Sequence, residues 1–184
     1  MYESQSVPSL GVPSNEWRVS IVDYFNRPVY ETYVRPVCSV EDLRVMDIGL
    51  RYDDLMMGIQ VIAPSFGEVK ADIESLIRDK ILVGHCLWNT LSAMGLSCAA
   101  LQTRDLALYR PLRKQLRSST IVPLQDLARI FLSQEIGLYK EDSMEMACAA
   151  MSLFRNSEAV FEATVASGAW PCDLPPVRYA QYFS

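Results

Sequence analysis

Alternating apolar residues near the N-terminus predict a β-hairpin. Trp17, Val19 and Ile21 fall on one face of a first segment, as expected for a strand, in which successive side chains point to opposite faces. Asn26 and Pro28 favour a turn after it. The segment that follows is rich in β-branched and aromatic residues, which favour strands. Two antiparallel strands are therefore predicted.

A helix and a buried strand are predicted next. Ser65 can cap a helix whose third residue is Glu68, the spacing of a capping box. Five apolar residues then share one helical face: Phe66, Val69, Ile73, Leu76 and Ile77. The apolar run 81–83 is short, as is typical of a strand buried on both faces.

Helices and a strand are also predicted along the rest of the chain. Helices are predicted over 88–96, 123–132 and 143–165, a helical turn over 111–116, and a strand and turn over 101–108. This order predicts an α/β fold in which helices cover a mixed sheet. Three parts are expected: an irregular N-terminal arm over 1–16, a domain over 17–167, and a Pro- and aromatic-rich C-terminal tail over 168–184.

The composition of the chain argues against several classes of protein and of active site. The chain has 184 residues, of which 50% are hydrophobic and 21% charged, as in one globular domain. We expect no membrane span and no secretory signal. The five cysteines are an odd number without a C-x-x-C pair, which predicts reduced thiols in an intracellular protein. His85 is the only histidine, so we expect neither a zinc site nor a Ser–His–Asp triad.

A net charge of −5 means that nucleic-acid binding needs a local basic patch. One candidate patch has five basic residues and an aromatic side chain that can stack on a base. Its members are Arg104, Tyr109, Arg110, Arg113, Lys114 and Arg117. The alternative is a charged surface without a ligand.

Five short motifs, in this order, resemble those of one family: RVSIVD at 18–23, YVRP at 33–36, ILVGH at 81–85, RD at 104–105 and YRPLR at 109–113. They are similar to the DEDDh 3′–5′ exonucleases, in the eukaryotic branch that processes RNA, and the resemblance covers about residues 17–155. It implies an RNase H-like fold with a five-stranded mixed sheet, and a site in which four acidic residues hold two metal ions and a histidine acts as base.

The sequence departs from the family at these site positions. The acid after the Gly-His motif is replaced by Thr90, the histidine by Glu141, and the last acid by Met146. Of the Asp-x-Glu pair only Glu3 remains. Thioethers are poor magnesium ligands. We therefore expect an inactive exonuclease-like domain that has no catalytic residues and no metal or other cofactor. The alternative is an active Mg²⁺- or Mn²⁺-dependent exoribonuclease with displaced ligands.

An inactive domain would act through its surfaces. The tail residues Trp170, Tyr179, Tyr182 and Phe183 are candidates for contact with a protein partner or a second copy of the chain, or they pack on their own domain. RNA binding would be weak, and a purely structural subunit is a further alternative. The resemblance to this family also implies that the protein is located in the nucleus. The family's first strand looks missing or degenerate here, so residues 1–7, a second copy or another chain must fill its place.

Overall fold

A five-stranded mixed sheet forms the centre of the protein. The computed structural model describes residues 18–34, 63–138 and 142–183, together with the backbone of residues 2–4. The strands are β1 (Tyr2–Ser4), β2 (Arg18–Asp23), β3 (Pro28–Tyr33), β4 (Leu82–Gly84) and β5 (Thr103–Asp105), in the spatial order β3-β2-β1-β4-β5. β2 runs antiparallel to both of its neighbours, whereas β1, β4 and β5 are parallel. The predicted α/β fold with an RNase H-like mixed sheet is confirmed.

The first strand comes from the chain's own N-terminus. Glu3 lies opposite Val22 of β2 and Val83 of β4, so β1 occupies the central position of the sheet. Residues 2–4 are therefore not part of an irregular arm, which corrects the expectation for this segment. Because β1 pairs on both sides, neither a second copy nor another chain is needed to satisfy the facing backbone groups of β2 and β4.

Helices lie on both sides of this sheet. They are α1 (Phe66–Ile77), α2 (Leu87–Met94), α3 (Arg110–Gln115), α4 (Leu124–Leu132) and α5 (Ser143–Ala166), with 3₁₀ helices at Ala100–Gln102 and Val177–Tyr182. The predicted capping box of α1 is present, since Ser65 and Glu68 bond to each other's backbone N–H. None of the helices described here is long and apolar enough to cross a membrane.

Neighbouring residues of each strand pack into two separate hydrophobic cores. Ile21 and Leu82 pack with α1 and α2, whereas the next residues, Val22 and Val83, pack with α3, α4 and α5. This division follows from the alternation of side chains along a strand. The sheet therefore carries one apolar layer on each face, and both layers are closed by helices.

The C-terminal tail packs onto its own domain. Trp170 is 4% exposed, its ring centroid lies 4.8 Å from that of Phe161, and its Nε1 donates a hydrogen bond to the Ala100 carbonyl at 2.9 Å. The carbonyl of Tyr182 accepts a bond from the Cys98 N–H at 3.0 Å. Tyr179, Tyr182 and Phe183 are partly buried against the cores. The four tail aromatics thus contribute to the fold, and Trp170 has no surface to offer a partner.

Replacement of Trp170 by alanine should destabilise the protein by about 3 kcal/mol, because it leaves a cavity beside Phe161 and removes the bond to Ala100. Urea unfolding measures the loss. Val177→Ala is the matched control in the same tail: its side chain is 93% exposed, so its effect should stay within about 0.5 kcal/mol. Equal effects of the two substitutions would show that the tail does not pack as described.

Candidate functional site

A buried carboxylate holds the turn between β4 and α2. One oxygen of Asp105 accepts hydrogen bonds from the N–H groups of Cys86 and Ala107 at 3.0 and 2.9 Å, and the other accepts from Leu87 at 2.8 Å. Cys86 has a positive φ of 55°, a conformation that costs energy for a residue with a side chain. These bonds fix the turn that follows the Gly-His motif.

Burial sets the charge state of this carboxylate. Asp105 has no exposed surface, and desolvation raises its pKa to about 7, although the backbone N–H groups favour the ionised form and lower the pKa. The Asp105 carboxylate therefore stabilises the turn. Because none of its surface is exposed, a ligand cannot approach its oxygens from solvent.

His85 lies in the same turn and ties it to a distant loop. Its Nε2 lies 2.8 Å from the carbonyl oxygen of Val122, so Nε2–H donates there. Burial lowers the pKa of His85 to about 4, which keeps the ring neutral at pH 7. His85 is thus a partly buried histidine whose Nε2 is engaged by the backbone of the protein itself.

The described replacements at the family's metal positions are buried among other residues. Thr90 lies within α2 and Met146 near the start of α5, where it joins the core formed with α4. A hydroxyl and a thioether are poor substitutes for the carboxylates that Mg²⁺ prefers. Glu3 sits on the central strand, and its side chain lies outside the described part, as does Glu141.

The acidic residues at the start of α5 are engaged by the protein itself. Asp142 caps the helix by accepting bonds from the N–H groups of Met144 and Glu145, and it forms an ion pair with Arg18 at 3.3 Å. The Glu145 carboxylate accepts a bond from the Gly137 N–H at 2.9 Å. These contacts agree with an acidic helix start rather than with a metal site.

The donor set therefore does not fit a two-metal centre within the described residues. No group of three or more His, Cys, Asp or Glu residues among them is arranged to hold a metal ion. Thr90 and Met146 add no anionic oxygen, and Asp105, Asp142 and Glu145 each accept at least one hydrogen bond from a backbone N–H group. We therefore assign no catalytic step to a metal held by these side chains.

Two members of the predicted basic patch belong to the core. Arg104 is 3% exposed and forms a two-point ion pair with Glu162 at 2.6 and 2.9 Å. Tyr109 is 1% exposed and stacks on Phe161 at a centroid distance of 4.0 Å. Neither side chain can reach a phosphate or a base, which corrects the expectation for both residues.

The other four members are brought together on α3 and just after it. Arg110, Lys114 and Arg117 are exposed, and Arg113 is partly buried. Arg113 pairs closely with Asp173 of the tail, and Arg110 lies 3.8 Å from the same carboxylate. Sequence reasoning missed Asp173 and the Arg18–Asp142 pair, because nothing in the local pattern of either acid indicates a partner 60 or 124 residues away.

Curated relatives are found across eukaryotes. RNA exonuclease 4 of Mycosarcoma maydis is 38% identical over 143 residues, which is 77% of this chain and 36% of the relative. RNA exonuclease 4 of Mus musculus is 30% identical over 176 residues, covering 96% of this chain and 39% of the relative. The chain therefore spans well under half the length of these relatives. No protein-family model matches it.

Solved structures show the same fold. The pseudoubiquitin hydrolase–RNA exonuclease module of Saccharomyces cerevisiae Pan2, solved with AAUUAA RNA, has a TM-score of 0.66 at 21% identity and covers 91% of this chain and 31% of that one. The Pan2 catalytic unit of Neurospora crassa has a TM-score of 0.64 at 18% identity, with 91% and 31% coverage. The similarity supports the arrangement of strands and helices.

These comparisons correct two expectations. The prediction that the chain is not an enzyme is wrong, because several curated relatives are named as RNA exonucleases. The prediction that no cofactor is needed is wrong for the same reason, since exonucleases of the DEDD type depend on magnesium or manganese.

The neutral state of His85 predicts a pH dependence of stability. The pKa of His85 falls from 6.5 to about 4 on folding, so its contribution is fully present above pH 6.5 and is lost as the pH falls through 4. His85→Gln, which can still donate to Val122, should remove up to about 3 kcal/mol of this dependence.

Urea unfolding between pH 4 and 7 measures this effect as the difference between the two proteins. Asp105, whose pKa is raised, contributes a slope of opposite sign in the same range, and it does so in both proteins. Parallel stability curves for wild type and variant would contradict a buried neutral imidazole.

Proposed function

Because the chain belongs to the DEDD-type exonuclease family with the RNase H-like fold, we propose that it is a 3′–5′ exoribonuclease domain. The observation that carries this proposal is the 38% identity to an RNA exonuclease 4 over 143 residues. RNA as substrate follows from the names of the curated relatives. Since the chain covers 36% of that relative, the proposal concerns a domain and the reaction that such a domain catalyses.

The sheet supports a site at one of its edges. β1, β4 and β5 are parallel, so their carboxyl ends meet at the same edge, where open α/β sheets bind ligands. The turn held by Asp105 leaves β4 at this edge, and the segment leading into α3 leaves β5 there. An RNA 3′ end at this edge would lie beside both.

The start of α5 is positioned by β2. Arg18 pairs with Asp142, and the hydroxyls of Ser20 and Ser143 lie 2.7 Å apart in a buried contact. These two contacts fix Asp142 and Ser143, which follow Glu141. Glu141 stands at the family's histidine position. A carboxylate there can accept a proton from an attacking water, as a general base does.

The described donor set does not fit a two-metal centre, so a metal here would need oxygen ligands from outside the described residues. Glu3 stands at an acid position of the family and Glu141 at its histidine position. Glu3 lies on the central strand, which places it at the middle of the sheet. Substitution of Glu3 and Glu141 therefore tests the proposal most directly.

A 5′-labelled single-stranded RNA incubated with Mg²⁺ or Mn²⁺ should shorten stepwise from its 3′ end. Glu3→Gln and Glu141→Gln should each lower the rate by at least about 100-fold, because loss of one acid at such a site removes a ligand or a base. Glu135→Gln is the matched control on an exposed surface and should leave the rate unchanged.

Gel analysis of the products separates the outcomes. Intact RNA with both metals would overturn the proposed activity. Shortening that persists at full rate in both variants would show that neither acid takes part in the reaction. Immediate release of the labelled 5′ nucleotide, or internal cuts, would contradict the assignment as a 3′–5′ exonuclease.

A further inference from the structure

Ion pairs within the protein account for only some of the basic residues on and just after α3. Between residues 106 and 125 the chain has four basic residues and no acid. They form what we call the α3 basic face: Arg110, Arg113, Lys114 and Arg117. Within the described part of the chain, neither Lys114 nor Arg117 forms an ion pair. On a protein of net charge −5, such a face creates a local positive potential.

The C-terminal tail supplies the single acid that touches this face among the described residues. Asp173 pairs closely with Arg113 and lies 3.8 Å from Arg110. Its hydrogen bond with Arg113 lowers the pKa of Asp173, so the carboxylate is ionised at pH 7. Two of the four cations of the face are thus occupied by an anion of the same chain.

Asp173 is not what holds the tail in place. Trp170 is buried three residues before it, and the backbone of Tyr182 bonds to Cys98 after it. The Asp173 side chain remains 39% exposed. Arg110 is 54% exposed, and an exposed pair such as Arg110–Asp173 contributes at most about 1 kcal/mol, so an external phosphate can replace the carboxylate at Arg110 without unfolding the tail. Arg113 is 11% exposed, so its pair with Asp173 is the more sheltered of the two.

The position of the face relates it to the sheet edge described above. α3 follows β5 directly, and the loop after α3 is tied to the β4–α2 turn by the bond between His85 and Val122. A nucleic-acid strand whose end lies at this edge can therefore pass along α3. Arginine binds phosphate by two parallel hydrogen bonds, which a single shared carboxylate does not saturate.

We propose that the α3 basic face binds the phosphate backbone of RNA, and that Asp173 competes with RNA for Arg110 and Arg113. The choice of RNA as the polyanion rests on the proposed function. In this arrangement the tail weakens RNA binding until a phosphate replaces the carboxylate. Each exposed cation that contacts a phosphate adds to the salt dependence of binding.

Fluorescence anisotropy with a labelled single-stranded RNA in EDTA tests this without cleavage. Asp173→Asn should tighten binding about three- to tenfold, because two cations become free for phosphate. Asp126→Asn is the matched control: it also removes an exposed acid that pairs with an arginine, Arg129, but on α4. Asp173→Glu keeps the charge and should bind as the wild type does.

The basic residues are tested in the same assay. Lys114→Gln and Arg117→Gln should each weaken binding and lower the slope of log K against log salt by about 0.7, the value for one phosphate contact on a single strand. Arg78→Gln, an exposed change after α1 on the other face of the sheet, is the control and should leave the slope unchanged.

The results separate this inference from the proposed activity. If Asp173→Asn binds no more tightly than Asp126→Asn, the competition by the tail is overturned. If the slopes of the Lys114 and Arg117 variants equal that of wild type, the face does not bind phosphates; these variants leave Asp173 untouched and do not depend on the folding of its variant. Tighter binding by Asp173→Asn in a protein that does not shorten RNA would support the face and overturn the exonuclease.

Discussion

Three backbone N–H groups and one desolvated carboxylate determine the geometry of the sheet edge where the candidate site lies. Asp105 ends β5, yet two of its three bonds reach Cys86 and Leu87 after β4. Two neighbouring parallel strands are thereby locked at their carboxyl ends. His85 extends the constraint to the loop after α3. Removing the carboxylate would leave buried donors unpaired, which costs more than the net value of the bonds.

Local signals predicted the parts of the fold that local physics decides. The hairpin of β2 and β3, the capped helix α1 and the long helix α5 follow from alternation, capping and periodicity. β1 could not be predicted in this way. Three residues carry no strand pattern of their own. Tyr2–Ser4 adopts its extended conformation because β2 and β4 both offer backbone groups for pairing.

The site was harder to predict because charge and burial are decided by distant contacts. Arginine is a residue type that binds phosphate, but Arg104 is buried and pairs with Glu162, 58 residues later. Tyr109 is buried in a stack on Phe161. Only the members of the basic patch on the open side of α3 remain exposed. The expectation of an inactive domain, drawn from Thr90 and Met146, was wrong, because several curated relatives are named as RNA exonucleases.

The contact between Trp170 and Ala100 has a consequence for how this sheet meets other molecules. β5 is the last strand in the order, but all three of its residues are buried. The tail reaches both apolar layers and bonds to the chain just before β5. A bare outer strand is a template for pairing with foreign strands and for aggregation. The described tail is therefore tied to the segment that leads into this outer strand, and it limits how far that segment can swing away and lay the strand bare.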